Sequence, residues 1–383
     1  MRYANNRRRR SGNVLILTML MMIAMFAAVA FSVDLGYLFV VQSEVQRTAD
    51  SAALASAWKL CDETVLTGSI DPLEAVVEAK ASADQYAALN AIAGKAPALS
   101  WSDVDMGYLQ ADGETISLNP TAYVAASVNV RRDADQNGRV PLFFSRVLGI
   151  NDSGVSSEAT AVFINKIGGF KAPSNGENLG ILPFALDKQT WDNRASAGSV
   201  DKYSCKQDLD TGEWVVTEEP DGIPEVNLFP QSSIAEEFDA PGNRGTVDIG
   251  SDNNSTNDIA RQVLYGVSPA DLAHHGGKLA FNECGEILLN GDTGISAGVK
   301  DELNSIKGQP RIVPLFTDVN GNGNNAQYTI VRFVGVRILN VKLTGKMSGK
   351  EVIIQPAKCQ TKGAIASESD TSDFVYSPVW LVK

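Results

Sequence analysis

Residues 14–33, VLILTMLMMIAMFAAVAFSV, form twenty successive positions with neither a charge nor a proline. About 20 apolar residues in a helix cross the hydrocarbon core of a bilayer, so this stretch predicts a transmembrane helix. Beyond it the pattern changes period instead of stopping. From Leu38 an apolar stripe runs through Val41, Val45, Ala49 and Ala52 at spacings of three and four, while Gln42, Ser43, Glu44, Gln46, Arg47, Asp50 and Ser51 occupy the other face. Glu44 and Arg47, then Arg47 and Asp50, stand three apart, which lets them pair along that face. No proline occurs before Pro72, so the simplest element is one helix from about Val14 to about Leu60. At 1.5 Å per residue it is roughly 70 Å long. Its first half lies in lipid, and its second half, residues 34–60, projects and packs through Leu38, Val41, Val45, Ala49 and Ala52 onto the protein's own body or a partner helix. Asp34 then marks the membrane exit.

Charge orients this helix. Five of the 33 basic residues are Arg2 and Arg7 to Arg10, and no acid precedes Asp34, so the remainder carries 28 bases against 45 acids. Four consecutive arginines before the span place residues 1–13 in the cytoplasm by the positive-inside rule, with the acidic body on the opposite side. An acidic body lacking a basic, aromatic-interleaved patch argues against nucleic acid as a partner. Ala28-Val29-Ala30 fits the small-x-small rule for signal cleavage before Phe31. The apolar run, however, exceeds the roughly 7–15-residue core of such signals, and the helical pattern continues past the site. A retained anchor is the better reading.

The N-terminal string RRSGNVLILTML…AFSVDLGYLFVVQSEVQRTADSAALASA closely resembles the membrane segment of TadG-like proteins of the Tad (Flp pilus) assembly system. Arg10, Gly12 and Asn13 before the span, Asp34, Gly36 and Tyr37 at its end, and Gln46, Ala49, Asp50, Ala52, Ala53 and Leu54 carry the likeness. A weaker echo lies in residues 140–163. The resemblance implies a single-pass protein of the bacterial inner membrane, its C-terminal body periplasmic, whose partners are other pilus or secretion-system subunits and whose role is structural, without catalysis or a cofactor. Two departures stand out. Leu17 occupies the place five positions after Gly12 where prepilins carry an acid, and no D-x-S-x-S string opens a von Willebrand A metal site.

The outer part reads as α+β. A second helix is opened by Asp71 and Pro72 and continues through LEAVVEAKASADQYAALNAI; strand-like runs at TISLN, AYVAASVNV, RVPLFF and EATAVFIN complete a small pilin-like α+β unit over residues 61–167. Residues 168–180, GGFKAPSNGENLG, read as a linker. Residues 181–383 then form a β-rich α+β domain, with helices at SIAEEF, DIARQVL and VKDELNSI and strands at EILLN, RIVPLF, YTIVRFVGVRIL, EVIIQPA and FVYSPVWLV.

Candidate chemistry is sparse. Gly294–Gly298, GISAG, has the G-x-S-x-G form of a hydrolase nucleophile elbow around Ser296, but that fold places its histidine after the serine, and His274 and His275 both precede it. Adjacent histidines point roughly 100° apart on a helix and form no metal pattern. Two stretches resemble the opening of a calcium loop: Asp133, Asp135 and Asn137, and Asp318, Asn320 and Asn322. Position 12, where the motif needs a bidentate Glu, holds Phe144 and Thr329, and Asp, Asn and Gly are also ordinary turn residues. An envelope adhesin using these loops is the alternative to an assembly component; an anchored hydrolase using Ser296 is a third reading. Among the four cysteines, Cys205, Cys284 and Cys359 fall in one domain, so an oxidising compartment predicts one disulfide among them, with Cys61 free or paired to the remainder.

Overall fold

A computed structural model describes residues 13–61, 72–195, 200–228, 244–250, 255–292, 294–321, 323–345 and 349–382. The arginine-rich tail, Asp71, the SIAEEF helix and Asn322 lie outside the described residues. Helix α1, Asn13–Lys59, is one unbroken element of 47 residues. Val14 to Val29 are exposed throughout, whereas Val41, Val45, Ala49, Ala52, Ala53 and Ala57 are wholly buried. Helix α2, Pro72–Ala88, begins with proline in its first turn and Glu74 near its positive end. It packs on α1 through Ala79, Ala83 and Ala87, which are also fully buried.

Beneath the two helices lies an antiparallel sheet. Strand β1 (Val104–Leu109) is flanked by β2 (Ile116–Ser117) and β3 (Tyr123–Arg132), and β3 pairs along its whole length with β4 (Val155–Ile164), from Tyr123↔Ile164 to Arg132↔Val155. The period-2 pattern of β3 and β4 turns Ala126, Val128, Val130, Ala159, Ala161 and Phe163 into one cluster with the α1 stripe.

Residues 168–180 depart from the linker expectation. Strand β5 (Ile167–Lys171) sits between strands Lys278–Ala280 and Ala364–Ala366, with Phe170 fully buried. Its glycines serve close packing and not flexibility: a Cβ on Gly169 would stand 2.4 Å from the Ala280 Cα. The remainder of the body is built on β6 (Phe184–Asp187), β7 (Arg244–Val247), β8 (Ile287–Asp292), β9 (Pro310–Asn320) and β10 (Ala326–Lys342). Pairing runs β10–β8–β7–β6–β9 and returns from β9 to β10, closing a ring in which only β6–β9 is parallel. Strand β11 (Glu351–Pro356) extends it from the far half of β10. Helices α3 (Lys188–Asp192), α4 (Thr256–Tyr265), α5 (Pro269–Ala273) and α6 (Lys300–Ser305) cover the ring. The chain ends by returning to the first sheet: β12 (Trp380–Leu381) pairs with β4, Trp380 opposite Val162. The fold class is α+β.

Candidate functional site

The most developed feature of the described residues is the joint where α1 leaves its exposed half and enters the body. Buried positions 34, 41, 45, 48, 49, 52, 53, 56 and 57 follow the three-four spacing of one helix face, and Leu38 packs on the same cluster while remaining half-buried. Alanine at 49, 52, 53 and 57 and serine at 56 let the backbone of α1 approach the sheet and α2 closely. Polar groups at the edges fix the register. Gln42 Nε2 donates to the Ser156 carbonyl at 2.8 Å and to Ser157 Oγ at 2.6 Å. Glu44 Oε2 accepts from the Ala93 N–H at 2.7 Å, and Ala93 has φ 49°, so the carboxylate stabilises a backbone turn that alanine adopts only under strain. The expected ladder of Glu44, Arg47 and Asp50 is thereby replaced: Glu44 turns to Ala93 and Asp50 accepts from Gln46 Nε2 at 2.7 Å.

Asp34 closes the joint. It is 2% exposed, and its carboxylate faces the N-terminal end of the short 3-10 turn Ser145–Leu148. Oδ1 accepts from the Phe143 N–H at 2.9 Å, and Oδ2 from the Ser145 N–H and Ser145 Oγ, both at 2.6 Å, with the Phe144 N–H 3.1 Å away. Tyr37, one turn on, meets the Phe143 ring edge-on at 5.1 Å. Burial opposes ionisation of Asp34, but the bonds from Ser145, Phe143 and Phe144 outweigh it and hold the carboxyl below its usual range. The residue expected at a membrane exit is therefore an internal clasp that ties α1 to a segment over a hundred positions away. The sequence signal for it is the first acid after an uncharged span; its partner, a run of backbone amides, has no signature.

The other sequence candidates lie apart from this joint and from one another. Asp133 Oδ1 accepts from the Asp135 and Gln136 N–H groups, and Asn137, at φ 59°, bonds Ala98 and Arg131 backbone atoms. The first calcium-like loop is thus a turn that uses its own oxygens. The second is corrected more fully: Asp318 and Asn320 are ladder residues of β9, opposite Thr329 and Gln327. Among the described residues no three His, Cys, Asp or Glu side chains converge as a metal site. Ser296 caps a 3-10 turn by accepting from the Gly298 N–H at 3.2 Å. His274 ends α5, exposed, and burial lowers the pKa of its half-buried neighbour His275, against the charge of Asp248.

The expected disulfide among Cys205, Cys284 and Cys359 is not formed; these and Cys61 are thiols. Cys284 lies exposed in the turn 282–286, whose Asn282 Oδ1 accepts from the Cys284 and Glu286 N–H groups. Cys205 and Cys359 line one cleft of about 830 Å³ with Trp58, Trp214, Arg311 and Lys358. Burial pushes the Cys61 and Cys359 thiols up to about 12, against the opposing charges of Lys358 and of Arg311 and Arg337. Both are protonated at neutral pH and poor nucleophiles.

Comparison with protein families places two adjoining matches on this geometry. Residues 12–59 match the model described as putative Flp pilus-assembly TadE/G-like, and residues 55–161 match that described as putative Tad-like Flp pilus-assembly. The first coincides with α1; the second takes in α2 and the sheet as far as the middle of β4. No curated protein and no solved structure matches the chain.

Proposed function

We propose, from the matches of residues 12–161 to two Tad/Flp pilus-assembly family models, that this chain is a TadG-like, single-pass structural component of the pilus or a related secretion apparatus, acting by association and not by catalysis. It sits in the inner membrane with its arginine tail in the cytoplasm and its acidic body in the periplasm, where other envelope subunits contact it. One observation carries this reading: a single helix is exposed, uncharged and strongly apolar over one half and locked into the body's core over the other. Such a helix couples any displacement of the body directly to the membrane. The calcium-dependent adhesin and the Ser296 hydrolase have no comparable support, since their residues serve turns, a strand and a cap.

The test is made on the full chain in its own membranes. It is expected to resist alkaline extraction, to lose its body to protease added outside spheroplasts, and to cease supporting pilus assembly when residues 14–33 are deleted. A mature chain that begins at Phe31 overturns the anchor, and pili assembled normally without residues 14–33 overturn the role.

A further inference from the structure

The clasp at Asp34 does more than join two elements; it points an apolar turn back along the span. Phe143, Phe144, Val147 and Ile150 are 60%, 47%, 89% and 53% exposed within eight residues, whereas a soluble surface rarely gathers that much contiguous apolar area without a partner. Their position identifies the partner. Phe144 and Val147 share a void of about 240 Å³ with Ile23, Phe26, Ala27 and Phe31 of α1. Ala27 lies seven residues before Asp34, about 10 Å along the helix at 1.5 Å per residue. The turn therefore stands beside the last three turns of the uncharged stretch, below the level of Asp34. Arg146 in the same turn is exposed, with no salt bridge among the described residues. From that depth a long cationic side chain reaches the phosphate layer.

The geometry points to a second membrane contact: residues 143–150 insert into the bilayer leaflet on the body's side, Phe143, Phe144, Val147 and Ile150 in the acyl region and Arg146 at the headgroups. The inference rests on the anchor reading above and adds to it that the body is seated on the membrane surface instead of standing clear on a stalk. Continuity with the exposed span favours lipid over protein as the occupant, because the same side chains that line the void are those the bilayer must solvate. Asp34 is the positioning residue: by holding three successive amides it fixes the height and tilt of the turn against α1.

Depth measured by a nitroxide tests this in the full chain, reconstituted in nanodiscs of phosphatidylcholine and phosphatidylglycerol. With the exposed Cys284 replaced (Cys284→Ser), labels are placed at Val147→Cys, at Phe26→Cys within the span, and at Leu209→Cys, 97% exposed in a distant turn. Val147 is 89% exposed, so its substitution removes little packing. Labels at 26 and 147 are expected to collide with oxygen and to be shielded from a water-soluble nickel chelate, with 147 the shallower, while 209 meets the chelate freely. If 147 behaves like 209 while 26 stays lipid-facing, the seated turn is wrong and the anchor stands. Shielding of 147 from both reagents means a protein covers the turn, a second copy or another subunit, and also overturns the proposal. Free access of the chelate to 26 removes the anchor and this inference together.

Discussion

The two halves of α1 have the same backbone and different solvents. Residues 14–33 carry Leu, Met, Ile, Val and Phe around the whole circumference, and nearly all are exposed. Residues 34–59 carry fewer and smaller apolar groups, yet those of the stripe from Val41 onward have no exposure at all. Hydrophobicity alone would assign burial the wrong way round. Periodicity and size decide instead: an apolar surface without a polar side has no protein face to meet and suits lipid, whereas a stripe of alanines opposite polar residues admits a sheet and a second helix at close range. The first half is bound by its surroundings, the second by fit, and fit is sensitive to single methylene groups.

One substitution made in both halves separates them most strongly. Ala49→Leu or Ala52→Leu inserts volume where α1 meets β3, β4 and α2, and each is expected to cost about 1–3 kcal/mol, the usual range for overpacking. Ala28→Leu, on the exposed half, should stay within about 0.5 kcal/mol of wild type. Urea unfolding of the body in detergent micelles measures all three; equal effects would erase the distinction. Next in size is Asp34→Asn, which keeps the shape and removes the charge that three amides and one hydroxyl face. The expected results are a lower thermal midpoint at neutral pH and a flatter acid limb. The Asp34 pKa is depressed in the fold, so its contribution is complete above the ordinary carboxylate value of 3.8 and fades as pH falls through the lower, folded value. An unchanged acid limb in the variant would mean that Asp34 carries no pH-dependent stability. Gln42→Ala, which removes two bonds to β4, should cost about 1 kcal/mol by the same unfolding measurement; no loss would mean that water replaces them.

The elements that local pattern determines were legible. Charge-free length predicts the first half of α1, and strand runs such as YTIVRFVGVRIL fall inside β10, while DIARQVL falls inside α4. Distant pairing was not legible. GGFKAPSNGENLG has the composition of a linker, yet Gly168 and Gly169 are there because two strands press on β5. FVYSPVWLV reads as one strand; it divides around Pro378, and its end pairs with β4 more than two hundred residues earlier. Strand β1 was missed because VDMGYL has no clear alternation and exposes or half-exposes four of its six residues. The joint itself was half visible. The stripe could be counted from the sequence, but the turn that Asp34 grips could not, since backbone amides look alike in any sequence.

The weakest expected effect bears on what holds α2 to the joint. Lys59 Nζ stands 3.2 Å from Glu78 Oε2, with side chains 31% and 40% exposed, and Lys59 has a further interaction besides. A pair so open to water contributes at most about 1 kcal/mol, and a Debye length near 3 Å at 1 M salt screens most of that. Glu78→Gln keeps the side chain's length and removes its charge, so it should cost about 0.5 kcal/mol or less in dilute buffer and nothing at 1 M salt. Ala83→Leu, one turn further along α2 on its buried face, should cost as much as Ala49→Leu and show no salt dependence. If instead the charge substitution proves the costlier of the two, α2 is held by electrostatic attraction, and the fit assigned to the second half of α1 does not extend to its neighbour.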